Sequence, residues 1–453
     1  MKKFLSLILA TCLLATTAFM ASCGSSDNSS DSGKPDPDVE FDGWTPDNIL
    51  QRPVEKDDIR IGTYVAFADT ATQLSGKDQV ERYYYAGLNF MPMICTLPKS
   101  GILDDNEKTY ISRDLTDSKW WGKIDELMLE YNMTYYFSEL SGLANDHESS
   151  GRRESMINDN AVADARSIIP NLKNCVGVKI VDEPAKELWA DMLKAVKIVK
   201  EYARPFINFL PFFDEDFEKT LGTNHAGYAK MLEDAVKETG LRQICYDCYF
   251  QMFENNREEG IGYYFHNLNE YRMLSEKTGV DFWTTLLSVG HWAFRVPTED
   301  DIRWQISTAC AHGAKSIFWF YIYGRLLESS YRQSPFDQYY NKTATFDALA
   351  RQMRLFNDHF ADRLAGAKLL EVYHAGKTYG GTPLYTPGCI EGLFFRRAWG
   401  MPMIVSKFVD ENGKEFLLFV NNSQDKIERI EGEYKGKKLF NWFAPGQMLI
   451  VEE

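Results

Sequence analysis

Carboxylic acids that close apolar segments are the first residues to consider, because a carboxyl group delivered into a partly desolvated cleft can give or take a proton near neutral pH. One segment runs Gly177-Val178-Lys179-Ile180-Val181 and ends in Asp182-Glu183-Pro184. Its apolar approach and the adjoining Asp182 would both raise the pKa of Glu183, the first by desolvation and the second by like charge, which suits a general acid. Asp182 itself could hold a hydroxyl of a substrate. A second segment, Ile244-Cys245-Tyr246-Asp247, continues into Cys248 and Tyr249. Asp247 and Tyr249 share a face if the segment is extended, so Asp247 could attack a substrate or activate water beside a phenol. A third, Tyr135-Tyr136-Phe137-Ser138, ends in Glu139, and Asp214 lies just past a fourth apolar run. Asp, Glu and Pro equally suit the start of a helix, where they gain from its dipole. Residue type alone serves both readings of Asp182-Glu183-Pro184.

These acids need elements that bring them together. From about Asp58 to Phe360, short apolar runs alternate with segments of helical period, the pattern of βα units around a parallel sheet. Strands are predicted over Ile59–Val65, Asn89–Met93, Thr134–Ser138, Val176–Val181, Pro205–Leu210, Gln243–Asp247, Asp281–Leu287 and Ser316–Tyr321. Eight rounds in roughly 300 residues fit an α/β fold of the (β/α)8 TIM-barrel type, whose sites lie at the C-terminal ends of the strands. That places Glu183, Asp247 and Glu139 at one mouth. No G-x-G-x-x-G or Walker-type loop follows the first strand, where Thr63-Tyr64-Val65-Ala66-Phe67 stands instead, which removes the main nucleotide-binding competitor. Beyond Leu364 the texture becomes short alternating strands such as Met403–Val409 and Glu415–Asn421 around a turn at Asp410–Gly413, as expected of a small all-β sandwich. The domains expected are thus a barrel over 54–364 and a sandwich over 365–453.

The N-terminus has a different purpose. Met1-Lys2-Lys3, an apolar stretch from Phe4 to Met20 and then Ala21-Ser22-Cys23-Gly24 have the layout of a secretory signal. The end of that stretch resembles a bacterial lipobox, with Met20 in place of the usual Leu. The resemblance implies cleavage after Ser22 and a lipid anchor on Cys23, holding the protein at the cell envelope, at the outer membrane or cell surface. Residues 23–53 begin with a Ser-, Asp-, Pro- and Gly-rich run that has nothing to bury and reads as a flexible tether.

The net charge is −15, and removing Lys2 and Lys3 with the leader makes it −17. Such acidity disfavours nucleic acid and anionic headgroups and suits neutral ligands. Aromatic residues make up 14% of the chain, with 10 Trp and 24 Tyr, enough to grip the apolar faces of sugar rings. The eight Cys show no disulfide framework, and Cys245-x-x-Cys248 has no second pair to complete a zinc site. The seven His occur singly, without an H-x-x-x-H motif or a carboxylate cluster of ligand spacing. No metal and no cofactor are therefore expected.

Gly177 to Pro184 resembles the strand-four segment of bacterial barrel proteins related to the clan A glycoside hydrolases, which ends in Asp-Glu-Pro where better-known members end in Asn-Glu. Val296-Pro297-Thr298-Glu299, then Ala311-His312-Gly313-Ala314-Lys315-Ser316 leading Ile317-Phe318-Trp319-Phe320-Tyr321, is similar to the same proteins, as is the closing Pro445-Gly446-Gln447. The resemblance covers about Asp58 to Glu453. It implies a carbohydrate substrate, Glu183 as acid/base and Trp319 as the aromatic floor of the sugar site; His291, Trp292 and Tyr323 are further candidates to line it. One departure stands out. Retaining members carry a nucleophilic Glu at the end of strand seven, whereas here Leu287 is followed by Ser288-Val289-Gly290-His291-Trp292. Asp247 is the best substitute, with Glu139 and Asp214 behind it. Two functions are therefore expected in competition: a hydrolase acting on neutral oligosaccharides or polysaccharide fragments, or a barrel without turnover that binds glycan at the cell surface.

Overall fold

The computed structural model describes residues 60–63, 76–88, 90–91, 102–103, 109–110, 118–137, 165–212, 220–324, 330–339, 341–396 and 402–452. Cys23, Glu139 and Asp214 lie outside the described residues, as do the leader and tether. All described residues belong to one compact unit, Pro46–Glu453.

The strands are β1 (Arg60–Thr63), β2 (Phe90–Met91), a short antiparallel pair β3 (Ile102–Leu103) and β4 (Thr109–Tyr110), then β5 (Thr134–Phe137), β6 (Cys175–Asp182), β7 (Arg204–Phe209), β8 (Gln243–Asp247), β9 (Asp281–Leu287) and β10 (Ser316–Phe320). Apart from β3 and β4 they form one closed parallel sheet in the order β1-β10-β9-β8-β7-β6-β5-β2, with Gly62 paired to Phe90 at the closure. Parallel pairing brings every C-terminal strand end to a single rim. The helices are α1 (Gly76–Tyr85), α2 (Ser118–Glu130), α3 (Lys186–Val199), α4 (His225–Thr239), α5 (Arg257–Thr278), α6 (Glu299–Ala311), α7 (Ala344–Phe356) and a last short turn α8 (Asp362–Ala365). Their limits follow from local chemistry. Asn224 caps α4 by accepting from the Gly227 amide, and Gly240 ends that helix at φ 72°, a left-handed conformation that costs glycine nothing. At α6, Thr298 and Asp301 form a reciprocal capping box, while Glu299 turns to Arg351 of α7.

Inside the sheet, Tyr136, Phe206, Cys245, Trp283 and Phe318 make a packed plug. Gly177 is part of that fit, because a Cβ there would lie 2.0 Å from the Tyr136 ring. Alternate residues of the same strands point outward to the helices. Phe318 faces in, so Trp319 faces out, and its indole N–H donates to Met353 Sδ on α7 at 3.2 Å.

Seven further strands follow: β11 (Lys368–Ala375), β12 (Leu393–Phe395), β13 (Met403–Val409), β14 (Glu415–Asn421), β15 (Glu428–Tyr434), β16 (Lys437–Phe443) and β17 (Met448–Glu452). They form a four-stranded sheet, β11-β13-β14-β17, and a three-stranded one, β12-β15-β16. The period-two alternation divides the four-stranded sheet cleanly. Ile404, Phe408, Phe416, Leu418 and Val420 join the main core together with the helices, while Met403, Val405, Leu417 and Phe419 share a second core with Ile430, Tyr434 and Phe443 of the smaller sheet. Polar contacts fasten the same seam: Trp304 Nε1 donates to Asn422 Oδ1 at 3.0 Å and Ser406 Oγ donates to the Ala311 carbonyl at 2.7 Å. Gly446 comes so close to α6 that a Cβ would sit 2.4 Å from the Trp304 amide nitrogen. Among the described residues no helix is long and apolar enough to cross a membrane.

Candidate functional site

Three adjacent strands carry a polar residue at or one before the C-terminal end. The register sets Asp182 of β6 beside Asn208 of β7, and Asn208 beside Cys245 of β8, two residues before Asp247. Asn208 Nδ2 donates to Asp182 Oδ1 at 3.0 Å and to Asp247 Oδ1 at 2.8 Å. One amide therefore holds both carboxylates within two hydrogen-bond lengths of each other. Beneath them lies Lys179, fully buried, with Nζ 3.6 Å from Asp182 Oδ1. A lysine is rarely buried unless a charge answers it, and here two carboxyl groups share one ammonium.

Burial, together with that imbalance, sets the protonation of Asp247. Burial first, then the charge of Asp182, pushes its pKa up to about 6, against the opposing pull of hydrogen bonds from Asn208 and Tyr249 and of the Lys179 charge. The Tyr249 phenol is driven well above its ordinary value by burial and then by Asp247, Glu183 and Asp182 in that order. Glu183 thus acts on the same hydroxyl as the other two acids, and the three share one electrostatic neighbourhood.

Glu183 is half-buried and has φ 42°, unusual for a residue with a side chain. Its amide donates to the Asn208 carbonyl at 2.8 Å, which fixes the turn. The N-cap of α3 is Ala185, which makes no side-chain cap. Asp182 is spent on Asn208 and Lys179, so the helix-start reading does not account for it. A left-handed non-glycine residue costs about 1 kcal/mol or more and tends to occur where geometry matters to function.

An aromatic wall continues from the carboxylates. Tyr249 stacks on Phe320 with ring centroids 5.5 Å apart, Phe320 lies 5.3 Å from His291, and His291 stacks on Trp292 at 4.3 Å. Trp292 is 71% exposed and left-handed at φ 47°. Arg332 secures this loop, donating to the carbonyls of Trp292 at 3.0 Å and Phe294 at 2.8 Å.

Of the residues predicted for the site, Asp182, Glu183, Asp247, Tyr249 and His291 come together at the rim. Trp319 does not. It is fully buried behind the sheet against α7, and Phe320, one residue on, occupies the mouth. Glu139 lies outside the described residues. Lys179, Asn208 and Phe320 were not foreseen as site residues; Trp292 was foreseen as a lining residue and is exposed beside His291, whereas Tyr323, expected with it, is buried. A lone Lys or Asn inside an apolar strand is the signal that could have found the first two, since a polar group there must have a partner. The sequence reading, which found single histidines and no H-x-x-x-H motif or carboxylate cluster of ligand spacing, did not anticipate that His266 and Glu270, one helical turn apart on α5, meet His225 of α4.

No family model matches the chain, and no curated protein matches it. Solved structures of similar arrangement include a candidate α-L-fucosidase from Bacteroides thetaiotaomicron, 13% identical over 73% of this chain and 99% of that one, with TM-score 0.41. A domain of the thermostable chitinase from Pyrococcus furiosus, studied with chito-oligosaccharides, is 13% identical over 68% of this chain and 98% of its own, with TM-score 0.43. The α-amylase of Geobacillus thermoleovorans is 10% identical over 87% and 97%, with TM-score 0.46. Likeness at this level says nothing of catalysis, which must be argued from the residues of this chain.

Proposed function

We propose that the protein is a glycoside hydrolase built on a (β/α)8 barrel with an appended β-sandwich, acting on neutral oligosaccharides or polysaccharide fragments. The observation that carries this reading is the set of three acids at one barrel rim, of which one pair is bridged by Asn208 over a buried lysine. Cleaving a glycosidic bond takes a proton for the leaving oxygen and a second carboxylate at the oxocarbenium-like centre. Glu183 supplies the proton. Asp247, ionised above about 6, attacks the anomeric carbon or draws a proton from water. A carboxylate separation of about 5 Å would mean retention and one of about 6.5–9.5 Å inversion. Asn208 positions Asp247, the part-exposed Asp182 carboxylate offers a hydrogen bond to a sugar hydroxyl, and Trp292 offers an exposed face to a sugar ring. Three acids against one lysine repel a uronate or sulfated sugar, so the substrate is neutral.

A panel of neutral and uronate-containing oligosaccharides, scored for new reducing ends, tests this. Release from at least one neutral member and none from the charged ones is expected; cleavage of charged sugars alone would overturn the assignment. A second reading has one observation in its favour: β9 runs into Ser288, which is buried and carries no acid. A barrel that only binds glycan would retain sugars from the same panel without releasing product.

We further propose that Cys23 carries lipid and holds the enzyme at the cell envelope, the acidic chain itself having little affinity for anionic membranes. Cys23→Ala should move the protein from the membrane fraction to the soluble one. An unchanged distribution would contradict the anchor.

A further inference from the structure

A second cluster, made of residues other than the rim carboxylates, lies where α4 and α5 pack against Phe212, just past the end of β7. His225 is the first residue of α4, and His266 and Glu270 project from one face of α5, one turn apart. Their ligand atoms all lie within 4.8 Å of one another, and the two imidazole Nε2 atoms are 3.0 Å apart. We propose that His225, His266 and Glu270 bind a divalent first-row transition metal ion.

The donor set favours this class. Two imidazole nitrogens and one carboxylate oxygen suit zinc, nickel, cobalt, copper or iron, whereas magnesium and calcium prefer oxygen throughout. With metal–nitrogen bonds of about 2.1 Å, nitrogens 3.0 Å apart subtend roughly a right angle at the ion. That is the angle of neighbouring positions in octahedral or square-based coordination. Without an ion, one imidazole must donate to the other at this distance; with an ion between them, both present lone pairs.

The surroundings are built to hold the ligands still. The Phe212 ring packs against His225 at 4.6 Å and His266 at 6.4 Å. The Phe212 amide donates to Asn267 Oδ1 at 2.6 Å, and Asn267 donates in turn to the Tyr263 carbonyl at 3.1 Å, tying α5 to the end of β7. Three protein ligands leave coordination positions open, and a cavity of about 430 Å³ lined by His225, Glu270, Phe212 and Lys230 adjoins them. The positive end of the α4 dipole opposes a cation at His225. Glu270 opposes that effect with a full charge, and the cationic side chains nearby are answered locally, Lys230 by Asp234 and Lys277 by Glu233. A bound ion would clamp the start of α4 to the middle of α5, beside the strand that supplies Asn208.

Purified full-length chain, stripped with chelator and exchanged into metal-free buffer, is titrated with Ni²⁺ by calorimetry and with Co²⁺ by visible absorption. One saturable site per chain and a higher melting temperature with Ni²⁺ are expected. Glu270→Gln, which keeps the shape of the side chain, and His266→Ala should each weaken binding at least about tenfold, while His359→Ala at an exposed histidine should leave it unchanged. Melting in chelator shows whether each variant is folded. The proposal is overturned if the parent binds no ion at one equivalent, or if folded Glu270→Gln binds as tightly as the parent.

Discussion

Asp247 is the residue whose environment makes the sharpest claim about chemistry. An ordinary aspartate loses its proton near pH 4, whereas burial and Asp182 hold the proton of Asp247 to about 6. If it works as the ionised partner, kcat/KM should rise as pH rises through about 6, and Asp247→Asn should remove that limb along with at least about 10²-fold of the rate. A pH–rate profile of both forms checks this; an acidic limb retained in Asp247→Asn would assign the titration to another group. The stability linkage runs the other way. Between about 4 and 6 the folded state holds a proton on Asp247 that the unfolded chain has lost, so this contribution to stability is complete below about 4 and is lost as pH rises through about 6. On the proposed mechanism the site gains its base over the same range in which burying Asp247 becomes costly, as expected of a site that trades stability for function.

At the scale of elements, the seam between the barrel helices and the C-terminal strands includes fully buried apolar residues. Leu418 lies fully buried in the four-stranded sheet, on the face turned to the helices. Leu418→Ala should lower stability by about 2–5 kcal/mol, measured by denaturant unfolding followed through Trp fluorescence. A loss below about 1 kcal/mol would mean that the sheet is only loosely docked. Much of this architecture was legible, because β8, β9, β13 and β14 coincide with runs bounded by clear turn residues. The direction of side chains was less so. A parallel strand buried on both faces has no polar alternation to mark its inside, so nothing in the pattern opposed the resemblance that set Trp319 in the mouth, where Phe320 stands instead. Strands β11 and β15 were missed because their exposed faces break the apolar pattern, as Lys368, Glu371 and Glu433 show, and β12 because it is only three residues long. The link from Asp182 through Asn208 to Asp247 joins residues far apart in sequence, and only the strand register brings them together.

For the molecule as a whole, one compact unit carries an acidic mouth at one rim and a second, histidine-bearing cluster between two outer helices. A chain with net charge −15 presents a repulsive field to anionic partners, and the exposed Trp292 beside the acidic rim fits the proposed selection of neutral sugars. The central claim is that this rim turns glycan over through Glu183. Glu183→Gln preserves the side-chain shape and removes the proton to be donated, so binding and chemistry separate in one variant. Turnover and calorimetric affinity are to be measured on the same neutral oligosaccharide for parent and variant. A fall in kcat of about 10²-fold or more with affinity changed less than about threefold is the predicted result, and a variant that hydrolyses the sugar as fast as the parent would contradict it.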